Sequence, residues 1–197
     1  MKKLICIFLC MVMMTSLSAC TKEEEEFYET TLSFDKKGKI TDVIVESFTE
    51  SYYSEDGLRA YFQEKISEYN SRSNDDGNVS LENLEVSDGK AKATLVFDNC
   101  DTYTSFYGTG TFYGTVSDAY DKGYITETVL KKVGSSDTIS KLDLMKMSDA
   151  EIIIVSEVVR VHSPKKIQYV SANVEVIGEN DVRVSSDSSG LAYILVK

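Results

Sequence analysis

The chain has 197 residues, with 21 Lys+Arg against 32 Asp+Glu and a formal net charge of −11. A hydrophobic fraction of 42%, with 12 Tyr and 8 Phe, excludes an acidic disordered chain. The acidic balance argues against a nucleic-acid partner, whose phosphates such a surface repels, and one apolar run excludes a multi-span membrane protein.

That run comes first. Lys2 and Lys3 precede eleven consecutive apolar residues, Leu4 to Met14, and small residues follow. A charged start, a short apolar core and small residues before a break point predict an export signal over 1–19. Eleven residues are too few for a helical span, which needs about 20. Leu17-Ser18-Ala19-Cys20 resembles the lipobox of bacterial lipoproteins. The resemblance implies cleavage between Ala19 and Cys20 and lipidation of Cys20, hence an extracytoplasmic domain held to a cell membrane by acyl chains. Each buried methylene of such a chain contributes about 0.8 kcal/mol, so two or more chains anchor stably. Loss of Lys2 and Lys3 leaves the mature chain two units more negative than −11. Residues 20–26 then form a lipidated, acidic tether, in which Glu23 to Glu26 repel and extend the chain. The Lys-then-acid order is similar to a surface-export signal of Bacteroidota lipoproteins, and acidic spacers also follow the cysteine in Gram-positive lipoproteins. Cys6 and Cys10 leave with the signal, so Cys100 is alone and no disulfide framework is expected.

Residues 27–197 are expected to form one α+β domain. Runs 28–35 and 39–48 read as strands joined by Lys36-Lys37-Gly38. Ser54 is placed to cap a helix with Glu55 and Asp56 in its first turn. Leu58, Tyr61, Phe62, Ile66 and Tyr69 recur on one face of that helix, which is expected to end before Ser71. Strands 79–86 and 90–97 flank Asp88-Gly89, a favoured two-residue hairpin pair. Thr115 with Asp118 reads as the cap of a short helix stopping at Gly123. Strand character returns at 126–132, and 139–147 follows neither period. Runs 151–161, 166–171, 173–177, 182–185 and 191–196 are β-rich and separated by turn chemistry, predicting a C-terminal β meander. Strands at both ends with one or two amphipathic helices between them define the α+β class. The general layout is similar to small lipoproteins of Bacillota, a resemblance that implies nothing about catalytic residues.

Residues 103–124 gather Tyr103, Phe106, Tyr107, Phe112, Tyr113, Tyr120 and Tyr124, interleaved with Gly108, Gly110 and Gly114. Tyr103, Phe106, Tyr107, Phe112 and Tyr113 are the candidate binding surface, a platform for stacking on a glycan or a protein partner. The alternative is that the rings pack onto the sheet. Asn74, Asp76 and Gly77 imitate the middle of a calcium loop, but Arg72 and Asn83 stand where its terminal ligands belong. Asp98 and Asp101 flank Cys100, which reads as a small buried residue after a strand. His162, beside Ser163-Pro164, reads as a surface turn. The chain carries no G-x-S-x-G, no H-E-x-x-H and no cysteine pair, so no catalytic residue, metal or cofactor is assigned. The expected function is that of a lipid-anchored surface protein acting in ligand or partner binding or in envelope organisation. The alternative is an envelope-glycan hydrolase, which requires two facing carboxylates in an aromatic cleft.

Overall fold

The computed structural model describes residues 29–73, 77–126, 128–185 and 190–197. The expected export signal over 1–19, the expected lipidation and cleavage residues Ala19 and Cys20, the expected tether, and Asn74 and Asp76 lie outside the described residues. In chain order the elements are β1 (Thr31–Phe34), β2 (Ile40–Ser47), α1 (Glu55–Arg72), β3 (Val79–Ser87), β4 (Lys90–Phe97), α2 (Cys100–Tyr107), β5 (Thr111–Thr115) and α3 (Val116–Asp121). There follow β6 (Val129–Lys132), β7 (Thr138–Ser140), α4 (Lys141–Met145), β8 (Glu151–Val155), β9 (Arg160–His162), β10 (Ile167–Val170), β11 (Val174–Val176), β12 (Asp181–Val184) and β13 (Ala192–Val196). The class is α+β, with two mostly antiparallel sheets and a C-terminal strand series. No described helix is long and apolar enough to cross a membrane.

Local chemistry sets the turns. At β1–β2, Asp35 Oδ1 accepts from the backbone N–H groups of Lys37 and Lys39 at 2.7 and 2.9 Å, and Gly38 takes φ 86°. At β3–β4, Asp88 and Gly89 adopt φ 51° and 71°, the left-handed pair that matches strand twist. Ser54 Oγ accepts from Gly57 N–H at 3.1 Å and starts α1. Thr115 Oγ1 caps α3 through Asp118 N–H, as the sequence predicts. A reciprocal capping box, Ser140 with Asp143, starts the unpredicted α4.

The larger sheet has strand order β11-β12-β9-β1-β2-β4-β3 and the smaller β5-β8-β13-β10-β6-β7. The strand series from β8 onward feeds both sheets in turn. The expected run 151–161 is divided: β8 lies in the smaller sheet, and after Ser156–Val159 the chain enters the larger one as β9, parallel to β1. Of the later strands, only β11 and β12 pair with their sequence neighbour. Residues 111–115, within the aromatic segment, form the edge strand β5 of the smaller sheet.

One core lies between the sheets, with Leu32, Ile40, Leu95 and Val161 of the larger facing Ile153, Val155, Ile194 and Val196 of the smaller. A second core covers the other face of the smaller sheet, where Ile152, Ile154 and Leu195 meet Val116 and Ala119 of α3 and Leu144 of α4. β8 and β13 are therefore covered on both faces, which explains their continuous apolar runs. Helix α1 packs on the β2–β4–β3 part of the larger sheet through Leu58, Phe62, Ile66 and Tyr69, all only partly buried. Tyr61, expected on the same face, is instead 55% exposed. The helix runs to Arg72, past the expected end at Ser71. No α1 residue is fully buried, so the helix covers its sheet incompletely.

Candidate functional site

The aromatic segment 103–124 does not form a continuous exposed platform. Tyr103 is 2% exposed within the inter-sheet core, and Phe112 is 5% exposed in the second core. Phe106 is half-buried against Phe97 and Tyr69, with ring centroids 5.5 Å from each. Tyr113 packs edge-on to Phe34, and its hydroxyl donates to Glu151 at 2.6 Å. The platform reading is corrected accordingly: α2 and β5 carry these rings inward onto both cores. Tyr113 lines a small hollow beside Lys37 and Gly38, and Phe106 and Tyr107 reach a larger open site.

That site is a groove between α1 and the sheet. Its floor is Ile44 on β2 and Ala91 and Ala93 on β4, which are register partners on one face, Ile44 opposite Ala93 and Glu46 opposite Ala91. The two alanines leave room that larger side chains would fill. One wall is the turn before α1, with Phe48, Tyr52 and Tyr53, where the Tyr53 ring lies 4.9 Å from that of Phe48 and 4.8 Å from that of Tyr52. The other is α1, with Leu58, Tyr61 and Phe62. This aromatic end encloses about 630 Å³. An adjoining space of about 580 Å³ shares Ile44, Tyr61 and Phe62 and continues to Phe106, Tyr107, Lys65, Glu68 and Arg72. Both volumes fall in the range of small-molecule sites. Tyr52, Tyr53 and Tyr61 are exposed.

Behind the groove lies a buried polar cluster. Asp42 projects from β2 into the core face, between its cross-strand neighbours Leu32 and Leu95, and is 3% exposed. Tyr107 donates its hydroxyl to Asp42 Oδ2 at 2.9 Å, while Oδ1 has no hydrogen-bond partner among the described residues. Tyr103, its ring 4.9 Å from that of Tyr107, donates to Glu157 at 2.8 Å. Burial pushes the Asp42 carboxyl up to about 7; the Tyr107 hydrogen bond opposes the rise and the Glu157 charge adds to it. Burial, with the neighbouring carboxylates, likewise pushes the Tyr103 and Tyr107 phenols up, keeping them neutral donors. Asp42 therefore holds Tyr107 in place, and Tyr107 ends the groove.

The remaining candidates have structural roles. Cys100 opens α2, buried, and burial raises its thiol to about 12, which suppresses the reactive thiolate. His162 Nδ1 lies 3.2 Å from Asp181 Oδ1, which also receives Arg160 at 2.7 Å, a cross-strand arrangement between β9 and β12. Asp98 accepts from Asn78 N–H at 2.8 Å, whereas Asp101 pairs with Lys122 at 3.3 Å. Gly77 packs against the start of α2, where a Cβ would meet Thr102 Oγ1 at 2.4 Å. No group of three or more potential metal ligands occurs among the described residues. The carboxylates lining the groove, Glu46 and Glu68, belong to its two different ends, and Glu68 is engaged by Lys65 and Arg72. The hydrolase alternative, which needs a facing pair, draws no support from this arrangement.

Compared with known proteins, the chain matches no family model, and no curated protein or solved structure shows significant similarity to it.

Sequence reasoning located Phe106 and Tyr107 but missed the rest of the groove. Two signals were present. Phe48, Tyr52 and Tyr53 cluster in a turn, where no periodic core face requires them, and Asp42 interrupts the inward phase of Ile40 and Ile44.

Proposed function

We propose that the chain is a lipid-anchored, extracytoplasmic binding protein whose ligand is a small molecule held between α1 and the sheet. The observation that carries the binding reading is the groove itself, an open aromatic site with a floor of small residues. The anchor reading rests on Leu17-Ser18-Ala19-Cys20. Together they describe a domain that presents a ligand site close to a membrane surface on a short acidic tether.

The anchor is tested by replacement: Cys20→Ala is expected to move the protein from the membrane to the soluble fraction, and full membrane retention contradicts lipidation at that residue. The binding reading is tested by thermal unfolding of the full chain in lipid nanodiscs against glycans, cell-wall fragments and small organic ions. A ligand that binds only the folded state stabilises it by about 2.7 kcal/mol at a hundred times its Kd. The midpoint is expected to rise with a ligand for the natural chain and to rise much less for Tyr61→Ala. Because Tyr61 is exposed, this change leaves the fold intact. A midpoint unmoved by every compound, or moved equally in Tyr61→Ala, contradicts the reading.

A further inference from the structure

The charges along the groove distinguish its two ends. At the α2 end, Lys65 and Arg72 share one carboxylate, Glu68, at 3.5 and 2.5 Å, so the charged lining there carries one positive charge in excess. At the aromatic end the charged lining residue is Glu46, which forms no ion pair with a described residue. It shares that end with Phe48, Tyr52, Tyr53 and Tyr61. A carboxylate beside several aromatic rings is an unfavourable setting for an anion, and a neutral apolar ligand leaves the carboxylate unused.

Building on the groove reading, we propose that the aromatic end binds a small organic ammonium ion carrying an apolar body. The face of an aromatic ring carries negative potential and attracts a cation, most strongly where water is partly excluded. A substituted ammonium is weakly hydrated, so its alkyl groups pack against Ala91, Ala93 and Leu58 while its charge faces the rings and Glu46. The net charge of −11 adds long-range attraction for the same sign of ligand. The match is one of charge and surface chemistry together: an apolar floor, aromatic walls and one carboxylate that is ion-paired with no described residue.

The test is an isosteric pair. Benzyltrimethylammonium and neopentylbenzene have the same shape and differ in a charged nitrogen against a carbon. Each is titrated calorimetrically into the full chain in nanodiscs, with empty nanodiscs as the reference. The cation is expected to bind about ten-fold more tightly than the hydrocarbon, or better. Glu46→Gln is expected to reduce cation affinity several-fold and leave the hydrocarbon unchanged, and added salt should weaken the cation alone. Tyr53→Leu, a change at a half-exposed turn residue, should reduce the cation preference even if Glu46→Gln disturbs the strand. Equal or tighter binding of neopentylbenzene overturns the ammonium assignment and leaves the groove as an apolar ligand site. Binding of neither probe overturns the assignment, and the failure of the thermal screen as well overturns the binding reading beneath it.

Discussion

Asp42→Asn is expected to raise the stability of the folded chain at pH 8 by about 2–3 kcal/mol, with little or no gain at pH 4. The natural carboxyl titrates at about 7 when folded, against 3.8 for an unburied aspartate. Below about pH 4 it is protonated in both states and imposes no charge penalty. Between about 4 and 7 the unfolded chain has released the proton and the folded chain retains it, so stability falls as pH rises. Above about 7 both states are ionised and the full cost of burying the charge stands, at most about 4 kcal/mol. Asparagine keeps the shape and still accepts from Tyr107, but it must bury an amide N–H₂, which takes back part of the gain. In thermal unfolding the variant's midpoint should exceed the natural one by roughly 4–12 °C at pH 8, with a flatter pH dependence between about 4 and 7. An unchanged midpoint at pH 8 with the natural slope retained contradicts a buried, ionised Asp42.

Ile153→Ala is expected to cost about 2–5 kcal/mol. Ile153 lies on β8, paired to Tyr113 of β5 on one side and Ile194 of β13 on the other. Its side chain enters the core between the sheets, while its neighbours Ile152 and Ile154 enter the core beneath α3 and α4. Truncation leaves a cavity that two hydrogen-bonded neighbours prevent from collapsing, and the lost transfer energy adds to the cavity term. Val158→Ala, at a residue 65% exposed in the connection after β8, is the control and should change stability by about 0.5 kcal/mol or less. Urea unfolding measures both; a loss below about 1 kcal/mol for Ile153→Ala contradicts closure of the two sheets around β8.

These residues also show which features local sequence carries. The hairpins at Gly38 and Asp88-Gly89, the Ser54 cap and the Thr115 cap rest on contacts within a few residues, and their chemistry is readable directly. Strand content was legible for the same reason, since β4 alternates Ala91, Ala93, Leu95 and Phe97 inward. Sheet assignment was not. The continuous apolar character of 151–161 does not reveal that β8 and β9 belong to different sheets, because that depends on pairing with β13 and β1, distant in sequence. The aromatic segment misled for a related reason: the same rings serve as a surface or as a core depending on whether β5 joins a sheet edge. The groove was illegible because its floor, Ala91 and Ala93, is unremarkable as sequence. It becomes a site only where α1 crosses the sheet without filling the space above two small side chains.

Occupancy of the groove between α1 and the sheet is read residue by residue in fluorine NMR of the full chain labelled with 3-fluorotyrosine. The chain has 12 Tyr, so single Tyr→Phe replacements assign each resonance. On titration with benzyltrimethylammonium and then with neopentylbenzene, the resonances of Tyr52, Tyr53 and Tyr61 are expected to move in a saturable way with at least one probe. Tyr193, buried in the core on the opposite face of the smaller sheet, is expected to stay still. Saturable shifts confined to tyrosines outside the groove, or no shift of Tyr52, Tyr53 and Tyr61 with either probe or with any compound of the thermal screen, would contradict binding in the groove.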